Sequence, residues 1–144
     1  STAAAEMLIA AKADITTHVA SVGTPLSVAA LRGSVDIMQL LLNAHASLDV
    51  TNNRGQTPMH LAAQFGRAAA VQLLQDRGMS PDLCDVNGAT ALSFAVSHGR
   101  HDVLRVLLAA NADPHVRNNV GLTPVDLAVR RADAVAIQML NSQI

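Results

Sequence analysis

The chain repeats itself every 33 residues. Thr24-Pro25-Leu26 returns as Thr57-Pro58-Met59, Thr90-Ala91-Leu92 and Thr123-Pro124-Val125, with the four threonines spaced 33, 33 and 33 residues apart. Gly33, Gly66 and Gly99 keep this step, as do Gly55, Gly88 and Gly121, and Leu41, Leu74 and Leu107. A fixed period without insertions restricts the fold to an array of equal units. Each unit is too small to bury its own apolar face, so the core forms only by stacking.

Each marker has a physical job. A threonine oxygen can accept a hydrogen bond from a free N–H of a first helical turn, and proline suits the first helical position. Thr-Pro therefore predicts a helix start, and Gly33, Gly66 or Gly99 ends that helix about two turns later by taking a left-handed conformation. A second helix follows, with apolar residues at helical spacing: Ile37, Met38, Leu40 and Leu41 in one unit, Val103, Leu104, Val106 and Leu107 in another. Gly78, Asn111 and the less suitable His45 stand where it stops. Asn52–Gly55, Asp85–Gly88 and Asn118–Gly121 begin with Asn or Asp and end with Gly, the preference of a type I turn. The first such segment, Val19–Gly23, lacks the leading Asn or Asp and is expected to be irregular.

Composition agrees with thin stacked layers. Half the chain is hydrophobic, yet Phe65 and Phe94 are its only aromatic residues. Ala29-Ala30 and Ala62-Ala63 let neighbouring short helices approach closely, and Ala95 and Ala128 continue the series. Phe94 aligns with Val28, Leu61 and Leu127, which predicts a core position.

The step and the segment Thr57-Pro58-Met59-His60-Leu61-Ala62-Ala63 resemble the ankyrin repeat, whose signature is Thr-Pro-Leu-His-x-Ala. The resemblance covers essentially the whole chain and implies an all-α solenoid of stacked helix-turn-helix units with hairpin-like fingers. Residues 1–144 are expected to form one domain. It comprises a partial repeat over 1–18, full repeats over 19–51, 52–84 and 85–117, and a C-terminal repeat over 118–144. Ser27, Ser93 and Asp126 replace the signature histidine that His60 keeps, and His60 is expected to fasten its helix start to a finger.

Chemistry finds no foothold in the pattern. The glycines recur singly at the repeat step rather than in a phosphate loop or dinucleotide fingerprint, and no serine sits in a nucleophile elbow. His98 and His101 are three apart, but Gly99 between them should turn them to different surfaces. Cys84 and His115 from successive fingers lack further ligands. The chain is thus expected to be no enzyme and to need no metal or cofactor.

Ten basic and eleven acidic residues leave a net charge of −1, with no global excess pointing to nucleic acid or an anionic membrane. A single cysteine permits no internal disulfide, and apolar runs such as Val106–Ala110 are too short for membrane insertion. Met7–Ala11 is brief and has no basic flank ahead of it, unlike a signal peptide. These features point to an intracellular protein, cytoplasmic or nuclear, monomeric by itself.

By resemblance, partners contact the finger tips and the exposed ends of the first helices. That assigns Asn53, Arg54, Gln56, Val86, Asn87, Asn119 and Val120 from the fingers. The helix ends give Leu31, Arg32, Gln64, Phe65, Ser97, His98, Arg130 and Arg131, with Arg117 at the border. The strip holds five of the ten basic residues and no carboxylate, which favours an acidic peptide or protein surface. Phe65 is either a binding anchor there or a ring packed on the adjacent finger. The function expected is a scaffold, adaptor or inhibitor that grips a partner protein or peptide. The alternative is a regulatory segment of a larger enzyme, channel or ubiquitin-ligase subunit. A stand-alone cyclin-dependent-kinase inhibitor shares only size and fold.

Overall fold

The computed structural model describes residues 21–142, which form eight helices in four pairs. The first helices are α1 (Pro25–Arg32), α3 (Pro58–Gln64), α5 (Ala91–Ser97) and α7 (Pro124–Arg130). Their second partners are α2 (Val35–Asn43), α4 (Ala68–Asp76), α6 (His101–Ala109) and α8 (Ala134–Asn141). Each first helix packs on its own second helix and on the next first helix, and the second helices pack in the same order. The partial repeat 1–18 and the start of the first finger, Val19 and Ala20, lie outside the described residues.

The start signals act as the sequence predicts. Thr24, Thr57, Thr90 and Thr123 accept from the N–H groups of Ser27, His60, Ser93 and Asp126 at 3.4, 3.3, 3.3 and 3.2 Å. Such a cap contributes about 1 kcal/mol, which matters in a helix too short to be stable alone. Ala91 in place of proline leaves this cap intact, so α5 begins on register. The stop signals also hold: Gly33, Gly66 and Gly99 take φ of 72, 73 and 66°, and Gly78, Asn111 and His45 take 92, 61 and 67°. Ala132 takes φ 54° where the fourth unit has no glycine.

The core runs through the stack as a continuous layer. Leu26, Met38, Met59, Leu74, Leu92, Leu104 and Leu107 are fully buried, together with the alanines at 30, 62, 63, 70 and 136. Each fully buried leucine contributes roughly 1.5–3 kcal/mol. Phe94 departs from expectation: it is half-buried and packs against the core from the side.

One position breaks the apolar register. Leu42 and Leu108 are 8% and 5% exposed on α2 and α6, and the equivalent residue on α4 is Gln75. Its amide oxygen and nitrogen are buried without a hydrogen-bond partner among the described residues.

Candidate functional site

The fingers are rigid because their leading side chains tie them shut. Asn52 Oδ1 accepts from the N–H groups of Arg54 and Gln56 at 2.9 and 3.0 Å. Asp85 Oδ1 does the same for Asn87 and Ala89 at 2.9 Å each, and Asn118 Oδ1 for Val120 and Leu122 at 3.0 Å each. Gly55, Gly88 and Gly121 close the turns with positive φ. The first finger has no such tie within Ser21–Gly23, and Gly23 takes φ 110°. Instead, Asn52 Nδ2 donates to the Ser21 carbonyl at 3.2 Å.

Neighbouring fingers are also linked. The Val86 N–H donates to the Arg54 carbonyl at 3.0 Å, and the Asn119 N–H and Nδ2 donate to the carbonyls of Asn87 and Val86 at 2.9 Å each. Asn119 is therefore both a finger-tip residue and the clasp between two fingers. The finger backbone needs no ordering at the moment of binding, so only the exposed side chains lose freedom there.

His60 joins the first-helix layer to the fingers. Its Nδ1 accepts from the Thr57 N–H at 3.0 Å, and its Nε2 lies 3.0 Å from the Ala89 carbonyl of the following finger. A backbone N–H can only donate and a carbonyl can only accept, so His60 is neutral with its proton on Nε2. Burial lowers its pKa below the ordinary 6.5, outweighing the opposing pull of the Ala89 carbonyl. Asp126 fills the same position in α7 and accepts from the Thr123 N–H at 2.9 Å, which holds its carboxyl below the usual range.

The predicted strip is brought together only in part. Arg32, Asn53, Arg54, Phe65, Asn87, His98, Arg130, Val86 and Val120 are exposed, the two valines by 60% and 78%. Leu31, Gln64 and Ser97 are half-buried. Gln56 is a correction: it is buried, and its Oε1 accepts from Asn52 Nδ2 at 2.8 Å. The side chain braces the finger from within and is not displayed. Arg117 and Arg131 are exposed but already engaged, Arg117 Nη1 with the Gly121 carbonyl and Arg131 Nη1 with the Ser97 carbonyl, each at 2.7 Å.

The strip is also less purely basic than its own residues suggest. Asp126 lies close enough to Arg117 and Arg130 for both cations to favour its charged form. Asp133 borders Arg131 and receives the His101 Nε2 at 2.8 Å. That contact also separates His101 from His98, whose Nδ1 donates to the Phe94 carbonyl at 2.9 Å. Cys84 is exposed, and among the described residues no three His, Cys, Asp or Glu side chains gather to hold a metal ion.

A depression of about 170 Å³ opens between α5, α7 and the last finger, walled by Phe94, Leu127 and Ala89. Ser97, His98 and Asn118 line it as polar groups. The His98 ring stacks on Phe94 at 6.2 Å and 9°, and His60 meets Phe94 edge-on at 5.4 Å and 77°. Phe94 was assigned to the core by alignment with aliphatic residues. Val28 and Leu127 at equivalent positions are half-buried as well and only Leu61 is enclosed, so the position itself borders the surface.

Comparison with known families agrees with this architecture. The model of ankyrin repeats in three copies matches residues 1–83, and that of ankyrin repeats in many copies matches residues 74–128. No curated protein matches the chain. Ankyrin repeats are in general protein–protein interaction modules. Among the described residues no helix is long and apolar enough to cross a membrane. With more than half its length matched by one family model, and with helix pairs and ridged fingers in the matching register, the chain belongs to the ankyrin repeat family.

Proposed function

We propose that residues 1–144 act as one non-catalytic binding domain that grips a protein or peptide partner along its finger tips and first-helix ends. One observation carries this reading. The tips display Arg54, Val86 and Val120 on a hydrogen-bonded frame that needs none of these side chains, and Phe65 stands 39% exposed at a helix end. Large apolar groups beside unengaged arginines are the composition of a binding surface rather than of a solvated one. Arg32 and Arg54 make no ion pair among the described residues, and they favour an acidic patch on the partner.

The test uses a partner captured from lysate and then purified. Arg32→Glu with Arg54→Glu is expected to weaken its affinity about threefold to tenfold, mainly through slower association. Folding stability is expected to stay within about 0.5 kcal/mol, since neither side chain braces the fold. Unchanged affinity in the double variant would contradict the assignment.

A second reading has its own support. Val129 is 58% exposed, whereas its equivalent Val96, covered by the following repeat, is 1% exposed. This apolar flank suits an array built into a larger polypeptide, where the domain would regulate an enzyme, channel or ubiquitin-ligase subunit.

A further inference from the structure

A second row of arginines runs along the edge where first helices turn into second helices. Arg67 and Arg100 occupy equivalent positions 33 residues apart, just before α4 and α6. Arg67 Nε donates to the Leu31 carbonyl and Arg100 Nε to the Gln64 carbonyl, each at 3.0 Å. Both side chains lie over the glycine turn of the preceding repeat. A Cβ at Gly33 would stand 2.8 Å from Arg67 Cδ, and one at Gly66 would stand 3.1 Å from Arg100 Cδ. The next position in the series is Asp133, and there Arg131 takes over, donating from Nη1 to the Ser97 carbonyl above Gly99. Three units thus present an arginine at the same structural place, the third from a different sequence position.

Capping a helix end explains one donor of each arginine. It leaves the four terminal N–H donors of Arg67 and of Arg100 without an acceptor among the described residues. Neither side chain meets a carboxylate, because the ion pairs there are His101–Asp133 and Arg105–Asp102. The Nε bond fixes each guanidinium in orientation, so little rotamer freedom remains to be lost on binding. Between the two lies an open cleft of about 490 Å³, lined by Phe65, Arg67, Arg100 and His101. Asp102 stands at its margin, turned to Arg105 at 3.1 Å.

Spacing selects the ligand. Stacked helices lie about 8–10 Å apart, so successive guanidiniums advance by that step. A polyproline-type strand rises about 3.1 Å per residue with three residues per turn, which returns every third side chain to one face about 9 Å on. We propose that the turn edge is a second docking surface, taking an extended segment of a partner that carries a carboxylate at every third residue. The proposal rests on the domain being a protein-binding module. The edge shares Phe65 and Arg131 with the first-helix ends of the surface proposed above, and only the finger tips lie at the other end of the first helices.

The probe is an acetylated, amidated peptide of repeated Glu-Pro-Pro triplets, titrated at low salt. In the unaltered protein the arginine Nε–Hε resonances of Arg67 and Arg100 are expected to shift and that of Arg54 to stay. Arg67→Gln and Arg100→Gln are each expected to weaken binding about twofold to fivefold, the scale of exposed charge pairs. Arg105→Gln should leave it unchanged, and salt should abolish it. Several results would overturn the proposal: no binding, equal binding of a Gln-Pro-Pro peptide, shifts confined to finger-tip arginines, or the same shifts produced by inorganic phosphate alone. Because the resonances are read in the unaltered protein, a glutamine variant that fails to fold does not remove the test. Failure here leaves the finger-tip assignment standing, since Arg54→Glu on its own probes the tips separately.

Discussion

Replacing His60 with alanine is expected to destabilise the array by about 2–4 kcal/mol, read as a lower urea midpoint. The substitution strands the buried Thr57 N–H, whose partner is the imidazole, and takes one of two donors from the Ala89 carbonyl, which keeps the Asp85 N–H at 2.9 Å. It also empties a site 1% exposed and removes the edge-on contact with Phe94. A pH effect accompanies the loss. The folded state holds His60 neutral and its pKa is lowered, so below the ordinary 6.5 the unfolded chain takes up a proton that the folded chain refuses. Stability is therefore full above that value and falls as pH drops, by up to about 1.4 kcal/mol per pH unit for this one group. Asp126 and Asp133 have lowered pKa values, so their contributions are lost only as pH falls below about 3.8 and do not overlap this window. Urea midpoints at about pH 7.5 and about pH 5.5 should differ less in His60→Ala than in the unaltered chain. An equal difference in both would show that His60 is not the neutral clasp described.

Gln75→Leu is expected to act in the opposite direction, stabilising the domain by about 1–2 kcal/mol. The amide is buried without a partner among the described residues, and an unsatisfied buried polar group costs its desolvation. Leucine already fills the equivalent places at 42 and 108, so the backbone accommodates it without strain. A higher thermal midpoint checks this. A lower one would mean that the leucine is overpacked between α2 and α6.

The repeat makes most of the fold legible in the sequence alone. Threonine caps and left-handed glycines act within a few residues of themselves, so their spacing alone places helix starts and ends. His60 was readable for the same reason, since its Nδ1 partner Thr57 is three residues away. The binding strip was less legible because its contacts cross repeats. Nothing local distinguishes Arg67, whose Nε reaches a carbonyl 36 residues back, from Arg54, which reaches none. The period was a signal that could have found Arg67 and Arg100, since they share one place in the unit. Arg131 could not be found that way, because it reaches its carbonyl from an unrelated position. Gln56 looked displayed because it adjoins a finger tip, but the Asn52 side chain folds the finger around it. Asp126, legible in the sequence only as a replacement for the signature histidine, neighbours Arg117 and Arg130 in the folded chain.

The central claim is that partners are held on the fingers and first-helix ends. Amide hydrogen exchange of the domain, free and saturated with its purified partner, tests this most directly. The account predicts added protection over 53–56, 86–89 and 119–122 and at the ends of α1, α3 and α5, with α2, α4, α6 and α8 unchanged in their exposed outer turns. Protection concentrated on those second helices, with the fingers exchanging as they do in the free domain, would contradict it.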